Sequence, residues 1–217
     1  YAQFQREVTV DSILKERSMT RSPLGLYDFA PISDGSAALI LASPKMAKAH
    51  TDVPVHIVGY CAATDYVTFP SRENRTGFIA SEIAMENAVK MSKVDVSDIQ
   101  LAELYDQSTL LEMIALEDLG FSKKGEAWLD IYNSCRDYKG FYEVDGKKLF
   151  VNTNGGLKAD GNPLGATGGA QIFEIVKQLK GEAGDRQVNT NEIPRYGCVL
   201  ELEGFGTKAY IHILSRD

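Results

Sequence analysis

Apolar positions fall in short blocks whose spacing switches between that of a strand and that of a helix. Ala37-Ala38-Leu39-Ile40-Leu41 is an unbroken apolar run. It predicts a buried strand entered through the turn Ser33-Asp34-Gly35-Ser36. Ser43-Pro44 opens a short helix toward His50, with proline at a favoured early position. Residues 53–60 alternate like a strand. Ser81 is expected to cap a helix through Lys93, with Ile83, Met85, Ala88, Val89 and Met91 as its apolar positions. Residues 99–104 read as a short strand. Residues 109–119 form a helix ended by Gly120. That helix is apolar nearly all round, which predicts burial on several sides, between layers. A strand over 147–151 precedes a helix over 167–179, whose Ile172, Ile175, Val176 and Leu179 share one face. Strands near 197–202 and 209–214 close the chain. The first 27 residues are polar and irregular, apart from a helical patch over 10–15.

Strands alternating with helices predict an α/β fold with mixed sheets. The strand expected at 37–41 has no earlier strand to pair with, so the chain reads as one part of a larger assembly.

Composition narrows the function only by exclusion. Of the 217 residues 44% are apolar and 24% charged, and the net charge of −7 leaves no basic footprint for nucleic acid or an anionic membrane. No apolar run approaches the roughly 20 residues that span a bilayer. Cys61, Cys135 and Cys198 are odd in number and widely spaced. They make neither a disulfide framework nor a zinc motif, so no metal is expected. They read as small buried thiols in a reducing, cytoplasmic setting. His50, His56 and His212 lie far from any motif. Trp128 with Tyr132, Tyr138 and Tyr142 reads as packing, or as a lining for an acyl pocket.

The chemistry is concentrated in residues 152–169, Asn-Thr-Asn-Gly-Gly-Leu-Lys-Ala-Asp-Gly-Asn-Pro-Leu-Gly-Ala-Thr-Gly-Gly. This stretch follows a strand and runs into a helix. Gly155, Gly156 and Gly161 open backbone angles closed to other residues. Gly165, Gly168 and Gly169 allow tight packing of the helix start. A helix N-terminus presents unpaired N–H groups suited to an anion or an oxyanion. The spacing fits neither a dinucleotide loop nor a Walker loop.

These residues resemble the thiolase signature Asn-x-x-Gly-Gly…Gly-His-Pro-x-Gly-x-(Ser/Thr)-Gly. Ser33-Asp34-Gly35-Ser36-Ala37-Ala38-Leu39 is similar to that superfamily's (Asn/Ser)-Asp-Gly-Ala-Ala-Ala-Leu segment. Glu103-Leu104-Tyr105-Asp106-Gln107, followed by Ala115 to Phe121, resembles the His-Asp-Cys-Phe region of sterol-carrier-protein-type thiolases. Gly204-Phe205-Gly206 resembles the closing glycine turn.

The resemblance implies a layered α-β-α-β-α fold in which two similar halves pack together and dimerise. On it, residues 1–34 end the loop region that helps hold coenzyme A. Residues 35–50 finish the N-terminal half, and 51–217 form the C-terminal thiolase domain. The nucleophilic cysteine of the family is expected upstream of Tyr1. The substrate implied is a coenzyme A thioester, with no covalently bound cofactor and no metal. The partners implied are the acyl-CoA, a second copy through the thiolase halves, and an OB-fold/zinc-ribbon companion subunit.

The family's catalytic positions are altered here. Its Gly-His-Pro histidine aligns with Asn162, its His-Asp-Cys-Phe histidine with Tyr105, and its late cysteine with Glu201. Asn162 donates a hydrogen bond but takes no proton near neutral pH. Three functions follow: a thiolase-type acyltransferase with Glu201 or an upstream residue as base; a CoA-thioester retro-aldol lyase with Tyr105 as acid/base, given a lowered pKa; and a non-catalytic CoA-binding subunit. Gly155, Gly156, Gly161 and Gly165 are the expected ligand-side glycines. No lysine or arginine is assigned to the CoA phosphates.

Overall fold

The computed structural model describes residues 2–3, 5–16, 23–136, 140–188 and 192–216. Tyr138, from the aromatic cluster noted above, lies outside the described residues. The elements in chain order are α1 (Val10–Lys15), α2 (Pro44–His50), β1 (Val55–Thr64), α3 (Ile79–Ser92), β2 (Leu101–Leu104), α4 (Thr109–Asp118), α5 (Ala127–Arg136), β3 (Tyr142–Val144), β4 (Lys147–Val151), α6 (Gly156–Asp160), α7 (Thr167–Lys180), β5 (Tyr196–Glu203) and β6 (Lys208–Arg216).

The strands form one six-stranded sheet in the order β1-β6-β5-β2-β4-β3. Strand β2 pairs in parallel with β4 and β5, and the other pairings are antiparallel. The sheet is therefore mixed, as expected. Strand alternation sends successive side chains to opposite faces. From β5, Cys198, Leu200 and Leu202 join the core that holds Ala84, Met85 and Ala88 of α3 and Leu111, Ala115 and Leu116 of α4. Val199 points the other way, to Leu101, Ile175, Leu179 and Leu214 beneath α7. Helices thus cover both faces. Each large aliphatic side chain buried in this way contributes roughly 1.5–3 kcal/mol.

Helix α4 is less enclosed than its all-round apolarity predicts: Leu111, Ala115, Leu116 and Asp118 are buried, Met113 and Ile114 are half-buried, and Leu110 is 38% exposed. It packs on α3 and α5, and Ser108 caps it by accepting from the Leu111 N–H. Its cover is helical, since the described strands make a single sheet.

Four sequence expectations need correction. Residues 37–42 are not a strand: Ile40 is 97% exposed and Leu41 78%. A strand holds only against a neighbour that takes its backbone hydrogen bonds, and among the described residues none lies alongside. Ser81 does not cap α3. The N-cap is Phe78, whose N–H donates to the buried Asp118 carboxylate at 2.7 Å. A tertiary contact thus replaces the local cap. Helix α5 and strand β3 arise in a stretch read only as an aromatic insertion. Cys135 is exposed, Cys61 half-buried, and only Cys198 buried.

Candidate functional site

The three parallel strands end at one edge of the sheet. Strand β2 ends at Leu104 and hands the chain to Tyr105 and Asp106. Strand β4 ends at Val151, just before the glycine segment. Glu201 sits near the end of β5. Segments distant in sequence converge there because parallel strands share a direction, and the carboxyl ends of such strands are where α/β folds place ligands. Helix α7 starts at the same edge, so its N-terminal dipole points into it.

Asn162 and Tyr105 meet directly. Asn162 Nδ2 donates to the Tyr105 hydroxyl at 2.9 Å. Asn162 Oδ1 accepts from the Leu164 N–H at 3.2 Å and from the Thr167 hydroxyl at 2.9 Å. Asn162 is 1% exposed and Tyr105 5%, so these bonds lie in a dry environment where they count for more than in water. The Asn162 backbone N–H donates to Pro31 O at 2.9 Å, and Ile32 bridges to Asn162. Residues 31–35 therefore clamp the glycine segment from outside. An added Cβ on Gly35 would stand 3.0 Å from Pro163, and one on Gly161 would stand 2.3 Å from Ser33 Oγ.

Glu201 lies beside the same loop. Its side chain would meet a Cβ on Gly168 at 3.4 Å, and its charge acts on Tyr105. Its Oε2 is buried without a hydrogen-bond partner among the described residues. Burial pushes its carboxyl up to about 8. The three expected residues are thus brought together, Tyr105 and Asn162 in contact and Glu201 adjacent. One expected property is reversed. A lowered tyrosine pKa would suit a base, yet burial raises that of Tyr105, with a smaller rise from the charge of Glu201 and a partial offset from Asn162. Tyr105 stays neutral and offers a proton.

Asp106 anchors the glycine segment. Its Oδ1 accepts from the Leu157 N–H at 2.9 Å. Gly156, at φ +64, leaves room for its carboxylate: an added Cβ would stand 2.0 Å from Asp106 Oδ2. Burial raises the Asp106 carboxyl to about 6. Gly155 and Gly161 also sit at positive φ, but Gly165 does not, and an added Cβ there meets open space. The tight packing expected of Gly165 is therefore absent.

Two cavities flank the segment. One, of about 220 Å³, has the acids Glu103, Asp106 and Asp160 with Thr167 and Gln171 in its wall. Burial drives Glu103 well above the carboxylate range, with neighbouring Glu174 adding to it. The other, of about 470 Å³, is mostly apolar and is lined by Val8, Leu26, Phe29 and Pro31 together with Arg6 and Lys158. Both cations lie over the Tyr27 ring, at 5.4 and 5.6 Å from its centre. Sequence reasoning missed this pair. Lys158 stood inside the glycine segment, but nothing marked Arg6, which only the fold brings beside it. Among the described residues no group of histidine, cysteine and acidic side chains is arranged to hold a metal. No helix there is long and apolar enough to cross a membrane.

Comparison with known proteins agrees with this architecture. The profile of the family described as "Thiolase C-terminal domain-like" matches residues 61–216. An acetyl-CoA acetyltransferase of Methanothermobacter thermautotrophicus is 42% identical over 215 residues, covering 99% of this chain and 53% of the relative. Sterol carrier protein 2 of Gallus gallus is 36% identical over 193 residues, covering 87% of this chain and 34% of the relative. Among solved structures, an Ltp2-ChsH2(DUF35) aldolase superposes with a TM-score of 0.78 at 24% identity, covering 99% of this chain and 53% of that one. The chain spans about half the length of the acetyl-CoA acetyltransferases it matches. With the family profile covering most of the chain and the sheet, glycine segment and strand-end site in place, this chain belongs to the thiolase C-terminal domain-like family.

Proposed function

We propose that the full-length protein is a thiolase-type acyl-CoA C-acyltransferase, and that this chain supplies its enolate-holding donors and its acid/base. The observation that carries the reading is the Asn162–Tyr105 hydrogen bond at the strand ends, beside Glu201, whose buried Oε2 has no hydrogen-bond partner among the described residues. In the cleavage direction a thiolate from the rest of the protein attacks the β-keto carbonyl of a β-ketoacyl-CoA and keeps the shortened acyl group as a thioester, from which the thiolate of free CoA then takes it, regenerating the enzyme thiolate. The Cα–Cβ bond breaks and its electron pair becomes the enolate of acetyl-CoA. The second Asn162 N–H and the Tyr105 O–H hold the enolate oxygen. Glu201, protonated below about pH 8, delivers a proton to Cα. In the condensation direction its carboxylate takes that proton back.

The coenzyme A would lie along the apolar cavity that ends at Ala30 and Pro31, next to Asn162. Arg6 and Lys158 would face its phosphates. A homodimer, an OB-fold/zinc-ribbon companion and a cytoplasmic setting belong to the same proposal. They are supported by the resemblance set out above.

The CoA-thioester retro-aldol lyase is the second reading, favoured by Tyr105 standing where thiolases keep histidine. In it Glu201 takes the proton of a β-hydroxyl, and no thiol nucleophile takes part. The deciding experiment assays full-length protein with a β-ketoacyl-CoA plus CoA, and separately with a β-hydroxyacyl-CoA. The acyltransferase reading expects thiolysis that Asn162→Ala slows on the order of 10²–10³-fold, as for one oxyanion donor. Thiolysis at an undiminished rate in Asn162→Ala, or turnover of the β-hydroxyacyl-CoA alone, overturns it.

A further inference from the structure

We infer that Phe205, backed by Phe69, is the specificity-determining contact for the acyl tail, and that the substrates are β-ketoacyl-CoAs whose acyl group is a long apolar chain. The inference rests on the function proposed above and adds its substrate class.

The order of the strands gives the site a direction. Strand β5 runs parallel to β2, which runs parallel to β4, and β1 lies antiparallel to β6, itself antiparallel to β5. Strands β4, β2, β5 and β1 therefore all end at the edge that carries the site. In sheet order that edge presents the glycine segment after β4, Tyr105 after β2, and Glu201 near the end of β5. Phe205 follows in the turn between β5 and β6, and Phe69 in the loop after β1. Neighbouring strands lie about 4.8 Å apart. The cavity proposed for coenzyme A borders Gly155, Lys158 and Ala159, at the β4 end of this row. The reacting carbons lie in its middle, at Tyr105, Asn162 and Glu201. An acyl tail that continues away from coenzyme A passes Glu201 and reaches the β5–β6 turn.

That turn presents an aromatic side chain in a fixed position. Phe205 is 53% exposed and Phe69 39%, yet both are held. Gly204 and Gly206 set the turn at left-handed angles, φ +63 and +66. Arg72, 3% exposed, donates to Phe205 O at 2.6 Å and to Tyr66 O at 2.8 Å, and so ties the loop after β1 to the turn. The Phe205 ring meets Phe69 and Phe78 edge-on, with ring centres 5.8 and 5.3 Å apart. An added Cβ on Gly206 would stand 2.4 Å from the Phe78 ring, so the turn seats directly on that ring. A buried guanidinium and two left-handed glycines thus fix an open apolar surface in line with the site. Such a surface suits an apolar ligand, because little side-chain freedom is left to lose on binding. A long acyl chain has that chemistry.

The test uses full-length protein and compares kcat/KM for thiolysis of acetoacetyl-CoA and of β-ketododecanoyl-CoA. Their ratio within one variant cancels any loss of folded protein. Phe205→Ala is expected to lower kcat/KM for the long substrate about 10-fold or more, and for the short one by no more than about 2-fold. Phe205→Leu keeps an apolar contact and retains most of the long-chain rate. A ratio unchanged in Phe205→Ala overturns the assignment and leaves the proposed function standing. Equal losses on both substrates do the same, and place Phe205 in packing rather than against the tail. So does an unaltered protein that cleaves acetoacetyl-CoA but not the long substrate. Absence of thiolysis of both substrates by the unaltered protein instead removes the proposed function, and the assignment of Phe205 with it.

Discussion

The carboxylate of Asp106 fills the space in which Gly156 would carry a side chain. A Cβ built on Gly156 stands 2.0 Å from Asp106 Oδ2, and the neighbouring Leu157 N–H donates to Oδ1 at 2.9 Å. This contact ties the glycine segment to the end of β2, and so sets Asn162 against Tyr105. The requirement is double, because Gly156 also sits at φ +64. Gly156→Ala is expected to cost about 2 kcal/mol or more, from steric overlap and a disfavoured backbone together. Gly165→Ala, with open space and an ordinary φ, should change stability by less than about 0.5 kcal/mol. Urea unfolding of the two variants, compared by their midpoints, checks the contrast.

Tyr105→Phe removes the hydroxyl that accepts from Asn162 Nδ2 and leaves the buried ring in the core. The fold should survive with a loss of about 1–3 kcal/mol, the cost of leaving a buried donor unsatisfied. Turnover should fall more than stability suggests, because the same hydroxyl is proposed to hold the enolate. Far-UV circular dichroism with denaturant titration gives the first quantity and steady-state kinetics the second. Unchanged kcat would remove Tyr105 from the chemistry.

Burial raises the carboxyls of Glu201 to about 8, Glu112 to about 7, and Asp106 and Asp118 to about 6. Folded-state values above the unfolded ones mean that the native chain binds more protons than the unfolded chain between these limits. Their contribution is fully present below the unfolded carboxylate range and is lost as pH rises through the folded values. The chain should therefore be more stable near pH 5 than near pH 8. Glu201→Gln should flatten the last part of that decline. Urea midpoints measured across the range test the sign.

The same Glu201 carboxyl gives opposite pH profiles in the two reaction directions. As an acid in cleavage it should hold kcat/KM steady up to about pH 8 and let it fall beyond. As a base in condensation it should make the rate climb toward that pH. Glu201→Gln should abolish both limbs at once in full-length protein. A limb that persists in the variant belongs to another group.

Arg6 and Lys158 are the cations beside the larger cavity. Replacing Lys158 by alanine should weaken coenzyme A binding by roughly 10- to 100-fold, the range for a charge-assisted hydrogen bond. Pantetheine, which lacks the nucleotide phosphates, should bind both proteins alike. Calorimetry with the two ligands separates this from general damage to the pocket.

What the sequence determined on its own was the set of elements whose partners lie close along the chain. Alternation placed β5 and β6, which pair with one another across the turn at Gly204, and the apolar positions of α4 marked the helix and the face it buries. The glycine segment announced itself through residues that only an unusual backbone requires. Tyr105, Asn162 and Glu201 were singled out only by what the resemblance implies, since each holds a polar group where the resembling family keeps a catalytic one. Tertiary structure alone decided the rest. Ala37 to Leu41 had the composition of a strand, but composition supplies no neighbour for its backbone, and the segment stays irregular and exposed. Ser81 had the chemistry of a cap, but Asp118, from another helix, already satisfied the N-terminus of α3. The raised carboxyl of Glu201 and the raised hydroxyl of Tyr105 depend on burial, and the orientation of Asn162 depends on the Leu164 N–H, held by a left-handed backbone. These are sums over groups from several segments, and no spacing along one chain contains them.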